Sequence, residues 1–248
     1  MSNTVERVLE ALTHNGFHAM YADTAAIACQ TVLRIIPPGA TVGFGDSASI
    51  RQLRLPQLLA SQARILVDPF ERELCRRCNN GEISKVRRAK IYRFSLQCEY
   101  FMTGSNAVTQ TGELVNIDGT GNRVSGMIFG PERIIVVVGL NKIVKDYADA
   151  YHRLTTVIVP HHAKAMGYHP PCVTTQQCVN CKGKDKQCSM LVRILQSPEE
   201  SDCTVLLVNE DLGLAWDQDW PEKRRQSIYD SYNEVTWLRL GKSAAEGE

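Results

Sequence analysis

The chain has no charge excess: 28 Lys and Arg stand against 27 Asp and Glu over 248 residues, a formal net charge of +1. With both signs interspersed there is no broad positive footprint for a polyphosphate, which argues against a nucleic-acid partner. Nor is there an apolar run near the roughly 18 uninterrupted residues of a membrane-spanning helix, so no membrane span is expected. The first residues, Met1-Ser-Asn-Thr-Val-Glu-Arg7, are without the basic-then-apolar order of a secretory signal, and a cytoplasmic location is the expectation. No internal repeat is visible. What is present is a globular composition, 44% hydrophobic and 22% charged, suited to α/β architecture and small-molecule chemistry.

Periodicity divides the chain into alternating helices and strands. Val5, Val8, Leu9 and Leu12 recur at helical spacing, and a second helix is expected over about 24–36, stopped by Pro37-Pro38-Gly39. A buried strand over 41–45 runs into a glycine turn, with Asp46-Ser-Ala-Ser49 placed to cap the next helix. A strand over 64–68 and a basic amphipathic helix over 83–97 follow. The centre is rich in β-branched residues over 100–109 and 114–118, and Ile134-Ile-Val-Val-Val138 is continuously apolar, as a strand covered on both faces must be. Further on come a helix over 145–159 ended by Pro160, a strand over 203–209 and a helix over 222–232. These point to one doubly wound, mostly parallel α/β domain. Residues 1–40 form its N-terminal helical segment, 41–240 its body with a metal loop at 170–190, and 241–248 a disordered tail.

Cysteine is abundant, and its nine copies cannot all pair within the chain, which fits a reducing compartment. Four of them, Cys172, Cys178, Cys181 and Cys188, fall in one short window with five, two and six residues between them. Two ligands separated by two residues can turn around one metal, and flanking ligands this near close the shell at little loop-closure cost. Four thiolates suit tetrahedral zinc or a [4Fe-4S] cluster. A single C-x-x-C knuckle flanked by solitary cysteines favours iron-sulfur over a two-knuckle zinc ribbon. His161, His162 and His169 lie just upstream as alternative ligands or helix-end caps. The arginines beside Cys75 and Cys78 are expected to lower thiol pKa, whereas Cys29, Cys98 and Cys203 read as core residues.

Two glycine-rich loops carry the candidate ligand site. Gly43, Gly45 and Ser47 sit where a strand opens into a helix. Gly104, Asn106, Asn116, Asp118, Gly119, Asn122 and Arg123 make a second set of polar groups around flexible backbone. Arg123 is expected to pair with a ligand carboxylate or phosphate, for which its planar fork is suited. Asp118, Glu113 and Glu210 are the candidate catalytic carboxylates.

Gly104-Ser-Asn-Ala107, Val115-Asn-Ile-Asp-Gly119, Gly121-Asn-Arg123, Phe129-Gly-Pro131, Val138-Gly-Leu-Asn-Lys142 and Asn209-Glu-Asp-Leu-Gly213 closely resemble, in that order, the LUD-domain family of lactate utilization proteins of the LutC/YkgG type. The cysteine loop is similar to that of the subset with a four-cysteine metal-binding insertion. The resemblance implies a Rossmann-like sheet similar to the ribose-5-phosphate isomerase and CoA-transferase superfamily. It also implies work on lactate or a related small hydroxy acid, alongside redox partner proteins of a lactate-oxidising system. A more distant likeness to methylthioribose-1-phosphate-type isomerases replaces that pattern's acid by Asn106 and its lysine by Ile117, so their acid–base step does not carry over intact. Two alternatives stand beside the iron-sulfur expectation: a zinc-stabilised binding or regulatory module for a small anionic metabolite, and an isomerase- or transferase-like enzyme for a sugar phosphate.

Overall fold

The computed structural model describes residues 2–236; the tail at 241–248 lies outside them. Its ten strands are β1 (His18–Ala22), β2 (Thr41–Phe44), β3 (Ile65–Val67), β4 (Tyr100–Thr103), β5 (Ala107–Thr109), β6 (Leu114–Asp118), β7 (Arg133–Gly139), β8 (Ile143–Val144), β9 (Met190–Ile194) and β10 (Asp202–Val208). Six of them form an all-parallel sheet ordered β1-β10-β7-β4-β2-β3. The other four make a smaller mixed sheet, β8-β5-β6-β9. The mostly parallel, Rossmann-like α/β class is as expected, but the second sheet is an addition to it. The β-branched stretch over 100–109 divides between the two sheets at Gly104-Ser105-Asn106.

The continuous apolar run of β7 is explained by two cores. Ile135 and Val137 face one core with Val32, Ile50 and Leu59 from three helices. Ile134, Val136 and Val138 face the other, against Val8 and Leu12 of helix Asn3–His14 and Val108 and Leu114 of the small sheet. Because strand side chains alternate, a strand wrapped on both faces has no position left for a polar residue. A third cluster closes the far face of the small sheet, where Ala107 and Val115 meet Ala150, Leu154 and Ile158.

Three expectations need correction. The first 40 residues are not wholly helical, since β1 lies among them as an edge strand paired with β10. The helix expected to end at Pro160 continues: Tyr147–Arg153 passes through a π segment, Leu154–Ile158, into Val159–Ala165. The widened turn lets the chain pass a residue that has no N–H and whose ring would crowd the carbonyl four residues back. The basic helix Lys85–Ser95 is not amphipathic, for Val86 and Phe94 are exposed at 69% and 59%. Among the described residues no helix is long and apolar enough to cross a membrane.

Candidate functional site

The site's place follows from strand order. After β2 the chain moves outward to β3, whereas after β4 it moves the other way to β7. The loops leaving these neighbouring strands therefore diverge and leave a crevice at their carboxyl ends, as open α/β sheets do at a switch point. A cleft of ≈ 470 Å³ opens there. Ser47, Gly104, Asn106, Asp118, Gly119, Asn122 and Arg123 line it, as the glycine-loop reading expects. Gly43, Gly45 and Asn116 instead lie behind the wall. A Cβ at Gly43 would fall 1.8 Å from the Ser95 carbonyl oxygen, and one at Gly45 would fall 2.9 Å from Arg123 Cγ, so both glycines admit packing partners rather than a ligand.

Arg123 has a different task from the expected one. It is 7% exposed, and its guanidinium is spent inside the protein. Nη1 donates to Asn116 Oδ1 at 2.5 Å and the Gly104 carbonyl at 3.3 Å, and Nη2 donates to the Ile117 carbonyl at 2.7 Å and Asn106 Oδ1 at 3.0 Å. Nε lies 3.7 Å from Asp118 Oδ2. Asp118 is likewise occupied: Oδ1 accepts the amides of Thr120 and Gly121, and Oδ2 that of Val124, which caps helix Asn122–Ile128. Together these two residues tie β6 and the turns at 104–106 and 117–121 into one rigid wall. Glu113 is bound to Arg193 at 2.7 Å, and Glu210 is exposed beyond the cleft; neither lines it.

The cleft's available chemistry lies with Lys142, which the sequence does not single out as a candidate, with Ser47, which it does, and with His162, read there only as an alternative metal ligand or helix-end cap. Lys142, 5% exposed on the turn after β7, donates from Nζ to Ser49 Oγ at 2.9 Å. Burial, with the Arg123 charge second, pulls its ammonium down from the usual range to about 7, and among the described residues no carboxylate opposes this. Ser47 Oγ does not cap its helix and has no hydrogen-bond partner. His162 Nδ1 lies 2.5 Å from Tyr232 Oη. Burial first and Arg123 second push that imidazole down to about 4, so near neutrality the ring is uncharged. The signal for Lys142 was its place in the motif Val138-Gly-Leu-Asn-Lys142, but a lone lysine reads as a surface residue until the fold encloses it.

The four clustered cysteines lie on the excursion between helix Val159–Ala165 and β9. Cys172 is buried, Cys181 and Cys188 half-buried and Cys178 exposed; all are free thiols. Among the described residues no three His, Cys, Asp or Glu side chains converge tightly enough to hold a metal ion. The thiols nevertheless feel one another: Cys172 is raised first by burial and then by Cys181, Cys188 and Cys178. Both limbs of the excursion reach the cleft, Tyr168 on the way out and Gln187 on the way back. A Cβ on Gly119 would lie 3.2 Å from the Gln187 carbonyl oxygen, and one on Gly121 would lie 2.9 Å from Met190 Sδ. His161 turns away, packing edge-on against Trp216. Cys75 corrects the thiol reading elsewhere, since burial drives it up to about 12, and the arginines that act against this are Arg88 and Arg51 rather than its sequence neighbours.

The family model described as the LUD domain matches residues 5–208. No curated protein matches the chain. Among solved structures, the crystal structure of a DUF162 family protein from Deinococcus radiodurans aligns at a TM-score of 0.44 and 13% identity, covering 84% of this chain and 99% of that one. With the family model spanning most of its length, from the first helix through β10, the chain belongs to the LUD domain family.

Proposed function

We propose that this LUD protein takes part in the oxidation of lactate or a related small 2-hydroxy acid, bound as an anion in the cleft, with a [4Fe-4S] cluster on Cys172, Cys178, Cys181 and Cys188. The observation that carries the reading is the shared wall: the limbs of the four-thiol excursion border the same cleft that holds Lys142, Ser47 and His162. The donor set fits the group in its chemistry, because four thiols are soft ligands, and Cys172 and Cys188, raised first by burial and also by the neighbouring cysteines, would be relieved by a shared cation. Such a cluster, when bound, exchanges single electrons.

The chain's own residues supply the rest. Oxidation of a 2-hydroxy acid to a 2-oxo acid releases two electrons and two protons; the electrons pass to a redox partner protein. Lys142, held partly neutral by burial, is placed to take one proton while the other passes to solvent, and the positive field of Arg123 favours the ligand's carboxylate without a direct bond. The test is anaerobic purification followed by metal analysis and electron paramagnetic resonance. Iron and inorganic sulfide in about equal amounts, with a signal that appears on reduction, are expected. Colourless protein carrying stoichiometric zinc overturns the redox role and leaves a zinc-stabilised module for an anionic metabolite.

A further inference from the structure

We propose that Lys142 is an amine nucleophile that captures the carbonyl carbon of a 2-oxo acid as a Schiff base, with Ser47 and Ser49 serving its protons. The inference rests on the small-acid reading of the cleft, since a 2-oxo acid is what oxidation of a 2-hydroxy acid yields, but it is independent of the thiol loop.

Three observations carry it. The first is placement: Lys142 lines the cleft from the turn at the carboxyl end of β7. The second is the way space has been kept around it. A Cβ at Gly213 would sit 2.7 Å from Lys142 Nζ, while one at Gly104 would sit 2.6 Å from Ser47 Oγ and 3.5 Å from Ser49 Oγ. Glycine at these positions lets two different strand-end loops pack directly against the amine and the hydroxyls, which a side chain at either would displace. The third is what the groups are short of. Among the described residues Lys142 has a hydroxyl partner and no carboxylate, and Ser47 Oγ, in a residue only 8% exposed, has no hydrogen-bond partner. A buried ammonium without a counter-ion is costly, whereas a buried neutral amine is not, and the amine is the nucleophilic form. Its pKa of about 7 agrees with that geometry.

The step balances without an oxidant. The Lys142 nitrogen lone pair attacks the carbonyl carbon, and the carbonyl π pair moves to oxygen, which takes a proton. The nitrogen loses a proton through Ser49 Oγ, 2.9 Å away, and the resulting carbinolamine hydroxyl leaves as water while C=N forms. The unpartnered Ser47 Oγ is placed to donate to that departing oxygen. Ketone and amine become imine and water, and hydrolysis returns both.

The experiment uses the full chain with pyruvate as the probe, cyanoborohydride to fix any imine, intact mass to count adducts and peptide mapping to place them. Calorimetry on the same protein measures binding of pyruvate and lactate. One adduct per chain at Lys142 is expected with pyruvate and none with lactate, which has no carbonyl. The adduct should be lost in Lys142→Met, whose circular dichroism should match the parent. Pyruvate that binds yet leaves Lys142 unmodified overturns the amine and spares the small-acid reading. Adducts on other lysines, equal in Lys142→Met, also overturn it. Binding of neither acid overturns the small-acid reading itself.

Discussion

Arg123 and Lys142 are both buried cations in one wall, and their partners set them apart. Arg123 has acceptors on both terminal nitrogens, so it is structural: Arg123→Ala should cost about 3–5 kcal/mol in urea unfolding, because it takes the counter-charge from the buried Asp118 carboxylate and the bridging donors from the Asn116 and Asn106 side-chain oxygens. Arg123→Lys should recover little, since one ammonium cannot span the two sides of the fork. A variant with the parent's midpoint would free Arg123 to serve a ligand. Lys142 has the opposite profile. Its folded pKa, about 7, lies below the usual 10.5, so between those values the unfolded chain binds more protons and stability rises with pH. Below about 7 the full penalty of a buried ammonium is present. Lys142→Met should therefore melt above the parent at about pH 6, with the gap narrowing toward about pH 9.5; a gap that stays constant would mean the lysine is not buried as a strained cation.

Elements were legible in proportion to how local their causes are. The β7 run, the second helix near 24–36 and its stop at Pro37-Pro38 are written in neighbouring residues, and all three stand as read. By contrast β1, His-Ala-Met-Tyr-Ala, and β9, Met-Leu-Val-Arg-Ile, alternate weakly, and only partners far along the chain, β10 and β6, make them strands. The π segment was hidden because proline is ordinarily a stop, and Ser47 looked like a cap because its position suits one. The cleft's glycine loops were readable, but the amine between them was not, since burial is a property of the assembled fold. A junction test belongs here: Gly121 has φ of +89° and leaves 2.9 Å between a would-be Cβ and Met190 Sδ. Gly121→Ala should destabilise by about 1–3 kcal/mol in thermal unfolding. No change in midpoint would show that the turn before helix Asn122–Ile128 can relax.

For the whole molecule the question is whether the thiol excursion holds the fold or serves the cleft. Three apolar clusters cover the large sheet and the small one, and they draw on strands and helices outside the 172–188 window. Cys181→Ser is therefore expected to keep its circular dichroism and melting temperature while losing lactate-dependent dye reduction in the presence of redox partners. A variant that melts early yet turns over normally below its melting point would make the loop a staple. The pairing of β1 and β7 with β10 also bears on synthesis. Residues 202–208 emerge from the ribosome long after 133–139, and until they do, β7 presents an open edge beside β4. Ile134 to Val138, the most apolar stretch of the protein, is then an unpaired template for another chain's strand. Ribosome-stalled chains ending before Asp202 should bind a holding chaperone, and chains carried past Val208 should let it go.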